Sequence, residues 1–325
     1  MSLSVLIIGY NRPHLTKQVL AAVEAYGPER IYLACDGPPK NDQQAQASNH
    51  AVRELMRNYD FRCPVFTRFE NENTGVRLGP IRAIDWFFDN EPEGIVLEDD
   101  CLPSAEFFSF CEHICQRYRN NSRVWGASGF NPNEIASKRG SYGFIRFHMG
   151  SGWVSWADRW KNYDRDLSRY EGALRNQDFH WPSEGLRYGL NWHLKQAIKS
   201  APAYWDYQLS WSVVASDGLW AVSNSNLVVN LGFGPGATTT KKEKFPNQAH
   251  TQLGSIADPL HLEPDIGFEE VFLRRHLRVY KPHWLNHLRD LVRTIKACQI
   301  RSFGPKSATW NVVHQRNRRY KTKNR

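Results

Sequence analysis

The chain opens on an apolar, β-branched run, "SVLIIGYNRP" (residues 4–13), that breaks on a turn signal. The next stretch, "HLTKQVLAAVEAYG", has helical spacing and a closing glycine. The first pattern predicts a strand and the second a helix. "RIYLACDGPP" repeats the device, an apolar run stopped by Asp-Gly-Pro-Pro, and "QAQASNHAVRELMRNY" reads as the next helix. A third strand is expected in "CPVFTRFENENTG", a third helix in "GPIRAIDWFFDNEP", and a fully buried fourth strand in "GIVLEDD". Such alternation predicts a parallel sheet with helices on both faces, and ligands in such sheets bind at the carboxyl ends of the strands. The helix "SAEFFSFCEHICQRYRNN" follows, with Ser104 as its N-cap and Glu106 in its first turn.

After residue 121 the rhythm changes. Shorter strands and tight turns are expected in "SRVWGASGFNP", "YGFIRFHMGSGWVSWADRW" and "NSNLVVNLGFG", with helices in "GLNWHLKQAIKS" and "DYQLSWSVVASDG". The stretch 232–262 has the composition of a long functional lid or connection. Further on, Trp284, Leu288, Leu291, Val292 and Ile295 recur at helical spacing with basic residues between them. That suits a helix docked on the domain or lying on an anionic membrane.

With 325 residues, 41% of them hydrophobic, the chain can bury a large core. No apolar stretch approaches the roughly 20 residues that span a bilayer. The first residues lack the basic flank and cleavage site of a signal peptide, so a cytoplasmic location is expected. Six cysteines are scattered without a Cys-x-x-Cys pair, which argues against a zinc site or a disulfide framework. Cys111 and Cys115, one helical turn apart, are expected to be free thiols on a core-facing helix. The net charge of +9 is unevenly spread: residues 271–325 hold fifteen Lys or Arg and one acid, Asp290. The basic character therefore belongs to the tail and bears on partners rather than on fold.

The candidate chemistry lies at the strand ends. Glu98, Asp99 and Asp100 close the fourth strand, where three adjacent carboxylates need positive compensation. A hard cation such as Mg²⁺ or Mn²⁺ suits one or two of them; a helix cap with solvated acids is the alternative. Asp36 either starts an Asx turn or accepts from a nucleobase edge. Arg12 is a surface arginine or a phosphate clamp.

In order and spacing, "VLIIGYNRP", "IYLACDGP", "VLEDDCLPSAEFFSF", "GSGWVSWADRW", "WDYQ" and "NLVVNLGFG" resemble nucleotide-diphospho-sugar transferases of the glycosyltransferase A fold. The likeness is to bacterial hemolysin-like glycosyltransferases and, more distantly, to the N-acetylglucosaminyltransferase I family. It implies a Rossmann-like, mostly parallel α/β sheet flanked by helices, with a C-terminal helical extension. The catalytic domain would span residues 1–270, with a nucleotide half to about 125 and an acceptor half beyond it. Residues 271–325 would form the basic helical extension and tail. The activity implied is metal-dependent, inverting transfer of a hexosyl or N-acetylhexosaminyl group from a UDP-sugar to an acceptor hydroxyl, in surface glycan or polysaccharide synthesis. The acceptor would be a glycan or a lipid-linked carrier, and the basic tail would touch the inner face of the membrane. Nucleic acid is not an expected partner.

The resemblance also assigns roles. Asp100 would bind Mn²⁺ or Mg²⁺, Asp99 the ribose or a metal-bound water, and Glu98 would complete the motif. Asp36 would hold the uracil edge, with Arg12, Arg77 and Arg82 around the donor. Asp206 takes the place of the catalytic base, a role a carboxylate can fill by accepting the acceptor hydroxyl's proton; helix capping is its local alternative. Trp153 and Trp156 would be sugar walls, or ordinary core. Gly234 and Gly236 in "GFGPGATTTKK" would approach the diphosphate, with Lys241 or Lys242 replacing a histidine that the family's loop carries and this one lacks. A sugar-phosphate nucleotidyltransferase is a competing enzyme reading, although "IIGYNRPHLT" lacks its glycine-rich basic signature. A non-catalytic carbohydrate- or polyanion-binding protein on the same fold is another.

Overall fold

The structure is a computed structural model that describes residues 2–132, 135–167, 205–233, 249–276 and 288. The chain divides into two units, Met1–Tyr280 and Lys281–Arg325, and every element named below belongs to the first. The diphosphate-loop residues Gly234, Gly236, Lys241 and Lys242, the helix expected around residues 189–200, and the basic extension and tail apart from residues 271–276 and Leu288 lie outside the described residues.

The alternation expected in the first hundred residues is present: β1 (Val5–Gly9), α1 (Pro13–Tyr26), β2 (Ile31–Cys35), α2 (Gln43–Asn58), β3 (Val65–Phe69), α3 (Gly75–Asn90) and β4 (Glu93–Glu98). After the three-residue β5 (Cys101–Pro103) comes α4 (Ala105–Tyr118), capped by Ser104, whose hydroxyl accepts from the Phe107 N–H. Then follow β6 (Val124–Ser128), β7 (Tyr142–Ile145), β8 (Trp153–Trp156), the short α5 (Ala157–Trp160) and α6 (Asp206–Ala215). β9 (Leu219–Ser223), β10 (Val228–Asn230) and α7 (Ile266–His276) are the last elements among the described residues.

Eight strands form one sheet in the order β3-β2-β1-β4-β8-β6-β9-β7. β1 to β4 pair in parallel. β8 then enters antiparallel between β4 and β6, and the sheet continues as a mixed one, with β6 and β9 parallel and β7 antiparallel at the edge. The Rossmann-like parallel half thus covers the first four strands, and the shorter strands beyond residue 121 build a mixed extension on its β4 side.

Period-2 alternation separates two cores on opposite faces. Leu6, Tyr32, Val96 and Trp153 point to one, with α3 and α6; Val5, Ile7, Ile31, Leu33, Ile95 and Trp156 point to the other, with α1, α2 and α4. Cys111 and Cys115 are free, buried thiols of the second core. α7 packs on β7 through Phe268 and Phe272, and its buried Glu269 pairs with Arg146 at 2.6 Å. No helix among the described residues is long and apolar enough to cross a membrane.

Candidate active site at the strand ends

The strand order reverses between β1 and β4: the chain passes from β1 outward to β2 and β3, then returns to β4 on the other side of β1. Diverging loops leave a crevice at such a switch point. A cavity of about 680 Å³ opens there, lined by Tyr10, Arg12, Asp36, Glu98, Asp99, Asp100 and Asp206, among others.

β1 and β4 are in register with Ile8 opposite Glu98, so the residues that follow each strand meet. Arg12, at the N-cap position of α1, reaches across with both arms of its guanidinium. Nη2 donates to Asp99 Oδ1 at 2.6 Å and Nη1 to Asp100 Oδ2 at 2.7 Å. This is the positive partner that the carboxylate triplet required. Burial alone would lower the Arg12 pKa, but Asp99, Asp100 and Glu98 raise it on balance, which keeps the guanidinium charged.

One cation does not balance three carboxylates. Burial and the negative charges of Asp100, Asp99 and Asp206 push Glu98 up to about 8. Burial also pushes Asp99 upward, with Arg12 opposing. Asp99 is nearly saturated, because its second oxygen accepts from the Tyr10 N–H at 3.0 Å. Asp100 is less engaged: beyond Arg12 it accepts, among the described residues, from the Cys101 thiol at 3.3 Å. That thiol is held protonated by burial, with a pKa well above the ordinary value.

No three His, Cys, Asp or Glu side chains converge into a metal cage among the described residues. The donor set nevertheless fits a hard cation that draws most of its ligands from water and a bound phosphate. Asp100 retains lone pairs facing the cavity, and the excess negative charge favours a second cation beside Arg12.

Asp36 stands on the cavity wall with its carboxylate engaged. It accepts from the Thr74 N–H at 2.9 Å, the Thr74 hydroxyl at 2.8 Å and the Gly75 N–H at 2.9 Å. It therefore caps α3 from 38 residues away, where the local N-cap residue, Thr74, makes no side-chain cap. This also explains why α3 begins one turn before the Gly79-Pro80 start expected from sequence. Gly75, Gly79 and Ala83, small residues four apart along α3, line the cavity.

Asp206 is the first residue of α6 rather than its cap, which is Trp205. Its Oδ1 accepts from the Tyr207 N–H at 3.0 Å, and the side chain is exposed to the cavity. The two remaining arginines are placed elsewhere. Arg77 donates to the Arg165 carbonyl at 2.9 Å and pairs with Asp166, while Arg82 approaches Glu70 at 3.8 Å; neither lines the cavity. Arg68 and Glu70, at the end of β3, line it instead.

Trp153 and Trp156 are corrected to core. Both are 2% exposed and sit in the two cores on opposite faces of the sheet. Trp153 packs among Phe88, His148, Trp160, Trp205 and Trp220. Trp156 lies 4.3 Å beneath the Arg159 guanidinium. The aromatic residues that face the cavity are Tyr10, Trp205, Tyr207 and Phe233.

Other determinants carried no signal in the sequence. Asn49 of α2 donates to the Tyr10 carbonyl at 2.8 Å and the Asp36 carbonyl at 3.0 Å, and Arg53, one turn on, donates to the Asp36 and Glu70 carbonyls. Together they tie down the loops after β1, β2 and β3. β10 pairs with β5, and Leu231 N–H donates to the Asp100 carbonyl at 2.7 Å, which lays Gly232 against the carboxylate. A Cβ at Gly232 would stand 1.9 Å from Asp100 Oδ2, so only glycine fits.

No protein-family model matches the chain, and comparison of its sequence with curated proteins finds no match. Among solved structures, HddC from Yersinia pseudotuberculosis is similar over 48% of this chain and 77% of its own, at 13% identity and TM-score 0.30. A UDP-glucose pyrophosphorylase complexed with UDP-glucose is similar over 55% and 87%, at 12% identity and TM-score 0.29. Mouse xyloside xylosyltransferase 1 is similar over 68% and 85%, at 9% identity and TM-score 0.35.

Proposed function

We propose that the protein is a metal-dependent inverting glycosyltransferase, which moves a hexosyl or N-acetylhexosaminyl group from a UDP-sugar to the hydroxyl of a glycan or lipid-linked acceptor. One observation carries the reading: Asp100, after β4, and Asp206, opening α6, line the same cavity with Arg12 beside them. This supplies an electrophile-stabilising side and a basic side around one space.

A divalent cation held by Asp100 would neutralise charge on the leaving diphosphate. Arg12 places a permanent positive charge on the same side, held in position by Asp99. Asp206 accepts the acceptor hydroxyl's proton as its oxygen attacks the anomeric carbon. The bond from that carbon to the diphosphate oxygen breaks on the opposite face, and its electron pair leaves with the diphosphate. The small residues of α3 leave room for the nucleoside, and Asp36 holds that helix terminus at the cavity wall.

The test is thermal stabilisation by a panel of nucleotide sugars, with Mn²⁺ or with chelator, on the wild type, Asp100→Asn and Asp206→Asn. One donor should raise the melting temperature only with Mn²⁺, and only where Asp100 is present. Asp206→Asn should keep that stabilisation and lose transfer. Equal stabilisation of Asp100→Asn removes the metal assignment; retained transfer by Asp206→Asn removes the base.

A further inference from the structure

We propose that Ser151 recognises the transferred sugar by donating a hydrogen bond to one of its oxygens. The inference rests on the glycosyltransferase reading and deepens it.

Ser151 stands between Gly150 and Gly152 on the cavity wall with φ +67°, in the left-handed region where glycine is the unstrained residue. The turn continues through Gly152 at φ +86°. Keeping a serine at such a position retains a hydroxyl at a backbone cost. That hydroxyl is oriented: Asn230 Nδ2 donates to Ser151 Oγ at 2.9 Å, and Asn230 Oδ1 accepts from the Gly232 N–H at 2.8 Å. With an oxygen lone pair used by Asn230, the Ser151 proton is directed away from the amide, and it has no acceptor among the described residues.

The turn lies where the transferred group must sit. β8 runs antiparallel to β4 with Trp153 opposite Val96, so two residues further Ser151 is level with Glu98. Asn230 holds both Ser151 and Gly232, and Gly232 lies against Asp100. Asp206 lines the same cavity. Ser151 therefore lines the same cavity as the carboxylate assigned to the diphosphate side and the one assigned to the acceptor side. A fixed hydroxyl donor there matches a sugar hydroxyl oxygen or an acetamido carbonyl oxygen.

Binding of UDP, UDP-glucose, UDP-galactose and UDP-N-acetylglucosamine to the full chain, measured calorimetrically with Mn²⁺, tests this. The variants are Ser151→Gly, which suits the left-handed backbone and removes the hydroxymethyl side chain, and Asn230→Ala, which releases the hydroxyl. Ser151→Gly should bind UDP within about 2-fold of wild type and the preferred UDP-sugar about 10-fold more weakly. Asn230→Ala should show a smaller loss that is likewise confined to the UDP-sugar. An equal loss for UDP and UDP-sugar assigns the hydroxyl to the diphosphate and overturns the proposal, and unchanged affinities overturn it while the enzyme reading stands. A wild type that binds neither UDP nor any of these UDP-sugars removes both.

Discussion

Arg12 and Asp100 are 88 residues apart in the chain, yet Arg12 Nη1 donates to Asp100 Oδ2 at 2.7 Å. The contact exists because β1 and β4 are neighbours in the sheet, and it places the cavity's counter-charge inside the acidic cluster. Arg12→Met should therefore leave Glu98, Asp99 and Asp100 uncompensated and cost about 3 kcal/mol of stability at neutral pH. The loss should shrink at pH 5, where Glu98 and Asp99, both raised by burial, can protonate. Thermal denaturation at the two pH values checks this; equal losses would show that the guanidinium acts through packing alone.

The triplet also predicts how stability varies with pH. Glu98 ionises ordinarily at 4.5 and in the folded chain at about 8, so between these values the native state binds the extra proton. Unfolding then releases a proton, and stability falls as pH rises through this window. For a partly exposed group the loss should be on the order of 1–3 kcal/mol. Melting temperatures measured in chelator from pH 5 to 8 should decline in the wild type and flatten in Glu98→Gln.

Gly232→Ala should damage the site more than the fold. Its methyl group would meet Asp100 Oδ2 and Arg12 Nη1, so one of these must move. Mn²⁺-dependent stabilisation by the donor should drop at least about 10-fold in apparent affinity, with a melting-temperature loss below that of Arg12→Met. Unchanged donor affinity would mean that the 232 backbone yields freely.

Asn49→Ala removes two hydrogen bonds to strand-end carbonyls and leaves them buried without that donor. A cost of about 2 kcal/mol is expected from chemical denaturation. Asn49→Asp should be no better, because a carboxylate cannot donate to a carbonyl.

Trp153→Ala should cost about 3–5 kcal/mol by opening a cavity in the aromatic core. Donor affinity of the fraction that remains folded should stay near wild type. A selective loss of sugar affinity without destabilisation would return this residue to the cavity wall.

The sequence by itself determined the local elements of the nucleotide-side half. Apolar runs of four to six residues alternating with helical spacing located β1, α1, β2, α2 and β4 closely, and Ser104 marked the start of α4, because strand burial and helix capping are written in contiguous residues. It also placed Arg12, Asp36 and the Glu98–Asp100 triplet at strand ends, hence on one rim. β5 and β9 escaped notice: β5 has three residues, too few to show a pattern, and β9, as long as β1 and β2, is not set apart from the helix and turn that precede it.

Only the tertiary structure decided which strands are neighbours, and the chemistry followed from that. Packing of the two cores against opposite faces of β8 turned Trp153 and Trp156 into core; their composition is equally compatible with a sugar wall. Asp36 became the cap of α3 and Arg12 the partner of two carboxylates through pairings 38 and nearly 90 residues long. Periodicity reports which face of an element is buried, but not which element buries it. That choice is made by long-range packing and by the pairing of buried charges, and no local pattern encodes it.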